Sequence, residues 1–288
     1  MGKSVGWAVI AIVLAVCAEM ISYVALTFVP QLSRFTYQVP QVSEADYTRY
    51  LAERDPELGW PSSNWLAEKA DARQARLSPA NAALGEDAPS CVSVYGDSFA
   101  FGDEVGDEAA WVNLLADRLD CRVNNYGVGG YGTDQAVMRL ERHLAQGRDL
   151  GETLVLTLYP DNLNRNVNQW RQLLTGRPLS FKPAFRVGAD GLEVDPIFQG
   201  DFADFQALAA DPAAYLSTEA YLPDTPGFRR LRRAGFPWSL TAMGIVLDQV
   251  RSFRGFGSSG RSNFFNYPTY YDDASGPSDT KKAVTRGI

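Results

Sequence analysis

Apolar and polar positions divide this chain into stretches of different character. Gly6 to Val29 is apolar apart from Glu19, Ser22, Tyr23 and Thr27, and its 24 residues exceed the ~20 that carry an α-helix across a bilayer. A cleaved signal peptide has an apolar core of only ~7–15 residues and a small-residue cleavage site. Length and flanks therefore predict an uncleaved membrane anchor over residues 1–30. Residues 31–90 mix charge with Ala, Pro and Ser and read as a connector. Within it, Ala67 to Arg76 is alanine-rich and charged and predicts a short solvated helix. Trp60, in the local signature Arg54 to Pro61, is expected to pack back on the body.

From residue 91 the pattern changes to short apolar runs alternating with helical periods. Cys91–Tyr95 predicts a strand, followed by a helix with Trp111, Leu114, Leu115 and Leu119 on one face. Arg122–Asn125 predicts a second strand, leading through a glycine cluster to a helix capped by Thr133 or Asp134. That helix carries Ala136, Val137, Leu140 and Leu144. Thr153–Leu158 is continuously apolar and reads as a strand buried on both faces with a neighbour on either side. Alternation of this kind predicts an α/β fold: a doubly wound, flavodoxin-like parallel sheet with helices on both faces.

After residue 160 the alternation stops. Ala184–Val187 and Gly191–Val194 predict a hairpin, residues 202–216 an alanine-rich helical stretch, and Pro237–Arg254 an amphipathic helix. Gly255–Tyr271 is aromatic and Gly/Ser-rich, and a polar tail follows. Connections in α/β units are usually short, so about residues 163–270 read as an insertion within a body of residues 91–288. Its aromatic residues Trp170, Phe181, Phe185, Trp238, Phe264, Phe265, Tyr270 and Tyr271 have two readings: a carbohydrate groove, or the insertion's own core.

Charge narrows the partners. The net charge is −7 and no basic run occurs, which argues against a nucleic-acid partner. Lys3 precedes the apolar span and Arg34 follows it, a near-balance that only slightly favours an extracytoplasmic body. Glu19 inside the span is either a functional intramembrane acid or a protonated or snorkelling side chain at a helix contact. Three cysteines are present. Cys17 lies in the span, whereas Cys91 and Cys121 open the first two strands. Neighbouring strands run ~4.8 Å apart, so a Cys91–Cys121 disulfide is expected in an oxidising compartment.

The candidate chemistry sits where strands end. Gly96-Asp97-Ser98 follows the first strand and Asn125-x-Gly127-x-Gly129-Gly130 the second. Asp161-Asn162 lies just beyond the third. These segments resemble the first three blocks of the SGNH (GDSL-type) hydrolases, over about residues 91–166. The resemblance implies a serine nucleophile, Ser98, attacking an ester carbonyl. It also implies an oxyanion hole made by the Ser98 N–H, a glycine N–H and an asparagine side chain. Gly130, five residues after Asn125, is the matching glycine, and Asn162 the matching asparagine, with Asn164 the runner-up. Each such donor contributes ~3–4 kcal/mol to an oxyanion. The same turns also read as tight strand–helix connections with no ligand.

Two departures from the pattern stand out. The third block reads Tyr159-Pro160-Asp161-Asn162, without the family's glycine and with acid and amide exchanged. The C-terminal Asp-x-x-His that supplies the family's base is missing from this sequence. The single histidine, His143, lies ten residues past Thr133, ~15 Å along its helix and away from Ser98. It is expected to be a semi-exposed structural residue. Three parallel strands where such folds usually have about five suggest a chain that stops before its natural end. The alternative is a complete protein without catalysis.

The resemblance implies a membrane-anchored, extracytoplasmic serine esterase acting on O-acylated carbohydrate or lipid, with no cofactor and no metal. A cell-envelope polysaccharide O-acyltransferase and a catalytically inactive binding or assembly module are the competing readings. A flavodoxin-like binding domain is a further one, but no phosphate- or cofactor-shaped loop is recognisable. Oligomeric state is left open by the sequence.

Overall fold

The computed structural model describes residues 2–216, 218–223, 231–259 and 276–288. The first helix, α1 (Gly2–Phe28), is almost bare along its length and is long and apolar enough to cross a membrane. After a four-residue helix, α2 (Pro30–Ser33), the chain enters the body directly: Tyr37 is buried in its core. Three further helices follow, α3 (Glu44–Glu53), α4 (Ser63–Lys69) and α5 (Pro79–Leu84). Each is capped by the serine before it, Ser43, Ser62 and Ser78, whose hydroxyl accepts a first-turn backbone N–H. The helix expected over Ala67–Arg76 is not formed. α4 ends at Lys69, and the Asp71 carboxylate then accepts the N–H groups of Arg73 and Ala75 at 2.9 and 3.0 Å. A side chain that satisfies the backbone locally competes with the helix ladder.

The three expected strands are present as β1 (Ser90–Tyr95), β2 (Arg122–Asn125) and β3 (Thr153–Leu156). They form a parallel sheet in the order β2-β1-β3. Between β1 and β2 lie a short helix, α6 (Ser98–Phe101), and α7 (Trp111–Leu119). Between β2 and β3 lies α8 (Thr133–Ala145). One face of the sheet packs Val92, Val94 and Val123 on Val112 and Ala116 of α7. On the other, Tyr95 and Tyr126 meet Ala136 of α8. Helices thus cover both faces, as right-handed crossovers running in opposite directions from β1 require.

The two covering helices are rotated from the faces expected. α7 buries Val112, Asn113 and Ala116, whereas Trp111, Leu114 and Leu119 are exposed and Leu115 is half-buried. α8 begins one residue earlier than a Thr133 cap implies, after Gly132, and buries Gln135, Ala136, Arg139 and His143, while Leu144 is exposed. The reason lies in the connector. Two of its carbonyls meet the polar groups of α8: Gln135 donates to Leu58 O at 2.7 Å and Arg139 to Gln74 O at 2.8 Å, while Arg139 also donates to Tyr126 O, just past β2, at 2.9 Å. β3 also departs from expectation. Among the described residues it pairs with β1 alone, and Leu154, Leu156 and Leu158 are exposed, because α8 sits over β1 and leaves β3's corresponding face open.

Residues after β3 build a second core. It begins with α9 (Asn162–Asn166) and α10 (Arg171–Thr175), followed by the antiparallel hairpin β4 (Ala184–Gly188) and β5 (Gly191–Asp195), as expected. The alanine-rich stretch forms α11 (Phe202–Ala210) and α12 (Pro212–Tyr215), broken at Pro212, which has no N–H to continue the ladder. Trp170, Phe181 and Phe185 are core residues here, packed with Tyr47 of α3 and Phe205 of α11, and so do not line a groove. Phe264, Phe265, Tyr270 and Tyr271 lie outside the described residues. The amphipathic helix is α13 (Trp238–Ser259), which packs along α1. A last helix, α14 (Gly276–Gly287), occupies part of the stretch read as a polar tail and buries Val284 in this core.

Cys91 and Cys121 are disulfide-bonded, with Cα atoms 6.1 Å apart. The β1–β2 register slips between Ser90 and Val92, so Cys91 is the bulged residue, free of the ladder to reach Cys121. Replacing both by alanine removes a cross-link spanning 30 positions, and chain-entropy arguments set the expected loss at about 3–4 kcal/mol. Denaturant titration of the two proteins measures it.

Candidate functional site

Ser98 is the first residue of α6, directly past β1. Asp97 caps that helix, its carboxylate accepting the Phe99 N–H at 2.9 Å. Because the chain winds from β1 to one side and then returns to the other, the carboxyl end of β1 is the topological switch point, where ligands of open α/β sheets bind. Ser98 is half-buried, and its hydroxyl has no hydrogen-bond partner among the described residues.

The glycine loop after β2 is fastened to this turn. Asn125 donates to the carbonyls of Ala100 and Phe101 at 2.9 and 3.2 Å and accepts the Gly127 N–H at 3.0 Å. A Cβ on Gly127 would stand 2.5 Å from the Phe101 nitrogen, so this glycine serves the packing of loop on helix. Its N–H is already used and is not offered to a ligand. Gly130 differs. It adopts φ +81°, a left-handed backbone that glycine takes without strain, and it lines the same cleft as Ser98. The Gly129 carbonyl accepts from Trp60 Nε1 at 3.1 Å. A trans peptide sets its N–H opposite its carbonyl, so Trp60 turns the Gly130 N–H away from itself. The expectation that Trp60 packs back on the body is met.

The cleft holds about 670 Å³. Connector residues Tyr50, Trp60 and Trp65 supply its aromatic wall, in place of the insertion aromatics considered from the sequence. Four arginines line it, Arg54, Arg165, Arg171 and Arg177, against three carboxylates, Glu53, Asp103 and Asp161. Arg171 lies over the Trp60 ring and donates to Gly130 O at 2.8 Å and Asn168 Oδ1 at 2.8 Å; burial pulls its pKa down to about 10. Asp103, five residues past Ser98, has its carboxyl pKa raised, chiefly by burial.

Asn162 is placed differently. It is buried at the first turn of α9 and is not part of the cleft lining, although its neighbour Asp161 is. Asn164, the runner-up, is committed elsewhere: its amide donates to Asp161 at 3.1 Å and its carbonyl accepts from Tyr221 Oη at 2.6 Å. Arg165 is the residue the sequence analysis passed over. Its guanidinium reaches Asp97 at 3.4 Å, Tyr131 O at 2.9 Å, Asp161 at 3.1 Å and Asn162 Oδ1 at 3.4 Å. One side chain therefore touches the first and third motif segments and the residue just past the second. A lone arginine after an Asp-Asn pair is the only sequence signal of this role, and it is too common to be recognised.

His143 is fully buried instead of semi-exposed, and it lies outside the cleft lining. Its Nδ1 is 2.8 Å from the Tyr95 hydroxyl and its ring packs edge-on to Tyr126. Burial, with Arg139, Arg148 and Arg142 nearby, pulls its pKa from 6.5 down to about 3. Among the described residues no group of three His, Cys, Asp or Glu side chains is arranged to hold a metal ion. No protein-family model and no curated protein matches this chain.

Two measurements follow from this geometry. The native state keeps His143 neutral while the unfolded state protonates it below pH 6.5. Stability from this group is therefore complete above pH 6.5 and declines as pH falls from there towards 3, by about 2 kcal/mol at pH 5. The His143→Gln variant should lack that part of the slope in denaturant titrations between pH 7 and 5. Arg165→Ala leaves Asp97, 1% exposed, without its cation. Breaking a buried pair from one side costs roughly 3 kcal/mol, readable as a lowered denaturation midpoint that Arg165→Lys restores only in part.

Proposed function

We propose that this chain is a membrane-anchored serine esterase domain of the SGNH type, acting on O-acyl groups of a carbohydrate or lipid outside the cytoplasm. The observation that carries this reading is the position of Ser98: at the switch point of the sheet, on the wall of a cleft it shares with the Gly130 backbone. The aromatic and arginine-rich lining suits an amphipathic or anionic acylated substrate. The Cys91–Cys121 disulfide favours an oxidising compartment, and α1 supplies the anchor.

In this reading the Ser98 Oγ adds to the acyl carbonyl and its proton passes through solvent water to the departing alcohol. The oxygen of the tetrahedral intermediate takes hydrogen bonds from the Ser98 and Gly130 N–H groups. Collapse expels the alcohol with a proton and leaves an acyl-serine, which water cleaves to free acid and serine. Transfer of the acyl group to a second sugar hydroxyl would make the same domain an O-acyltransferase. Asn162 completes the oxyanion hole only if α9 turns its amide toward the cleft, so Ser98 and Gly130 are the stronger assignments.

One observation favours a second reading, a non-catalytic binding or assembly module. Among the described residues nothing accepts the Ser98 proton, and without a base a serine hydroxyl is a poor nucleophile. A fluorophosphonate probe separates the two. The esterase reading expects the full chain to be labelled at Ser98, with labelling and chromogenic acetyl-ester hydrolysis both abolished in Ser98→Ala. An unlabelled chain supports the binding module and removes the esterase.

A further inference from the structure

The acid inside the first helix has a partner. Glu19 lies nine residues before Phe28, hence ~14 Å back from the body end of α1. Its carboxylate accepts the backbone N–H of Trp238 at 2.7 Å and that of Ser239 at 3.4 Å, and the Ser239 hydroxyl as well. These N–H groups open α13, where no helical carbonyl precedes them. The Tyr23 ring of α1 lies 5.0 Å from that of Trp238.

The other end of this segment is fixed at a different level. Arg232 is bridged to the chain just past α2: its N–H donates to Phe35 O at 2.9 Å and its carbonyl accepts the Tyr37 N–H at 2.8 Å. Its guanidinium pairs with Asp248 at 2.6 Å. Between these two points the chain goes from the body end of α1 to the level of Glu19 and returns. The ten helical steps from Trp238 to Asp248 rise ~15 Å, which matches the depth of Glu19. The descending part, Arg232 to Pro237, needs about 16 Å of extended chain and has it.

Composition follows the same geometry. Residues 234–247 contain no charged side chain, and Arg232, Arg233 and Asp248 bound them. Phe236 is 75% exposed and Leu240 58%, and Met243, Val246 and Leu247 are exposed too. This apolar surface continues the bare surface of α1, against which the helix packs. An apolar helix of 10–14 residues that is not a core helix is a re-entrant or interfacial segment. At membrane depth a backbone group needs a protein partner, and the first two N–H groups of α13 have one in Glu19.

We propose that residues 234–247 form a re-entrant hairpin that enters the bilayer beside α1, its outer face covered by lipid acyl chains. Glu19 holds it there by capping the buried start of α13, and the Arg232–Asp248 pair marks its rim. The proposal rests on α1 crossing the bilayer and is independent of the esterase chemistry.

Environment-sensitive labelling of the full chain in phosphatidylcholine vesicles tests it. In a Cys17→Ser background, single cysteines replace Met243, Val13 of α1 and Glu104 of the body, each carrying a nitrobenzoxadiazole fluorophore. Doxyl-labelled lipid should quench the Met243 and Val13 positions and spare Glu104, with aqueous iodide giving the reverse. Iodide quenching at Met243 with lipid quenching at Val13 overturns the hairpin and leaves the anchor. Iodide quenching at both overturns the anchor as well. Protection of Met243 from both quenchers means that protein, such as a second copy of the chain, covers this face, and also overturns the proposal. Adding Glu19→Ala should expose the Met243 position to iodide while Val13 stays in lipid; an unmoved Met243 signal overturns the role of Glu19.

Discussion

One guanidinium sets the geometry of the candidate site. Three loops leave the carboxyl ends of three parallel strands, and nothing in the strand pairing fixes how those loops stand relative to one another. Arg165 does, by donating to Asp97 in the turn after β1, to Tyr131 in the loop after β2, and to Asp161 and Asn162 at the start of α9. Five N–H donors in a rigid plane suit it to several acceptors at once, which a lysine cannot reproduce. The three loops are related in space because each contributes an acceptor to the same cation.

The same device recurs through the body. Arg76 donates to the carbonyls of Phe101, Gly102 and Val105, Arg139 to those of Tyr126 and Gln74, and Arg171 to that of Gly130. Glu219 does the converse, accepting the N–H groups of Gln169, Trp170 and Tyr221. Irregular backbone cannot be buried without partners. A small three-stranded sheet surrounded by loops therefore needs buried charged side chains to satisfy the loops. The connector between α1 and β1 is part of this arrangement: Trp60 donates to the Gly129 carbonyl, and Asp55 pairs with Arg142 of α8.

This polar interior explains what was legible in the sequence and what was not. β1, β2 and β3, the hairpin and the Cys91–Cys121 bridge follow from apolar runs, turn residues and strand spacing, which are local signals. The faces of α7 and α8 were misread because apolar periodicity points to Leu114, Leu119 and Leu144, all exposed, whereas the buried stripe of α8 is Gln135, Arg139 and His143. Gln135 and Arg139 are inside because carbonyls more than sixty positions away in the chain, Leu58 O and Gln74 O, receive them, and His143 because the Tyr95 hydroxyl meets it. No local pattern encodes such a partner. The shared position of Ser98 and Gly130 on one cleft was legible because strand-end motifs carry their own turn chemistry. Arg165 was not, since its acceptors are spread over three segments.

The contact between α1 and the body bears on how any site here meets a membrane. A domain on a flexible stalk samples all orientations. In this chain only residues 29–36 separate the apolar helix from Tyr37, which is already in the core, and four of them are helical. The Thr36–Arg232 bridge and the Glu19 cap on α13 add two further ties, far apart in sequence and close in space. Each tie reduces the freedom of the body about α1, so the direction of the Ser98 cleft relative to that helix is set by packing and not by linker length. A substrate held at a membrane surface would then be presented to the cleft at a fixed height, which a freely tethered domain could not provide.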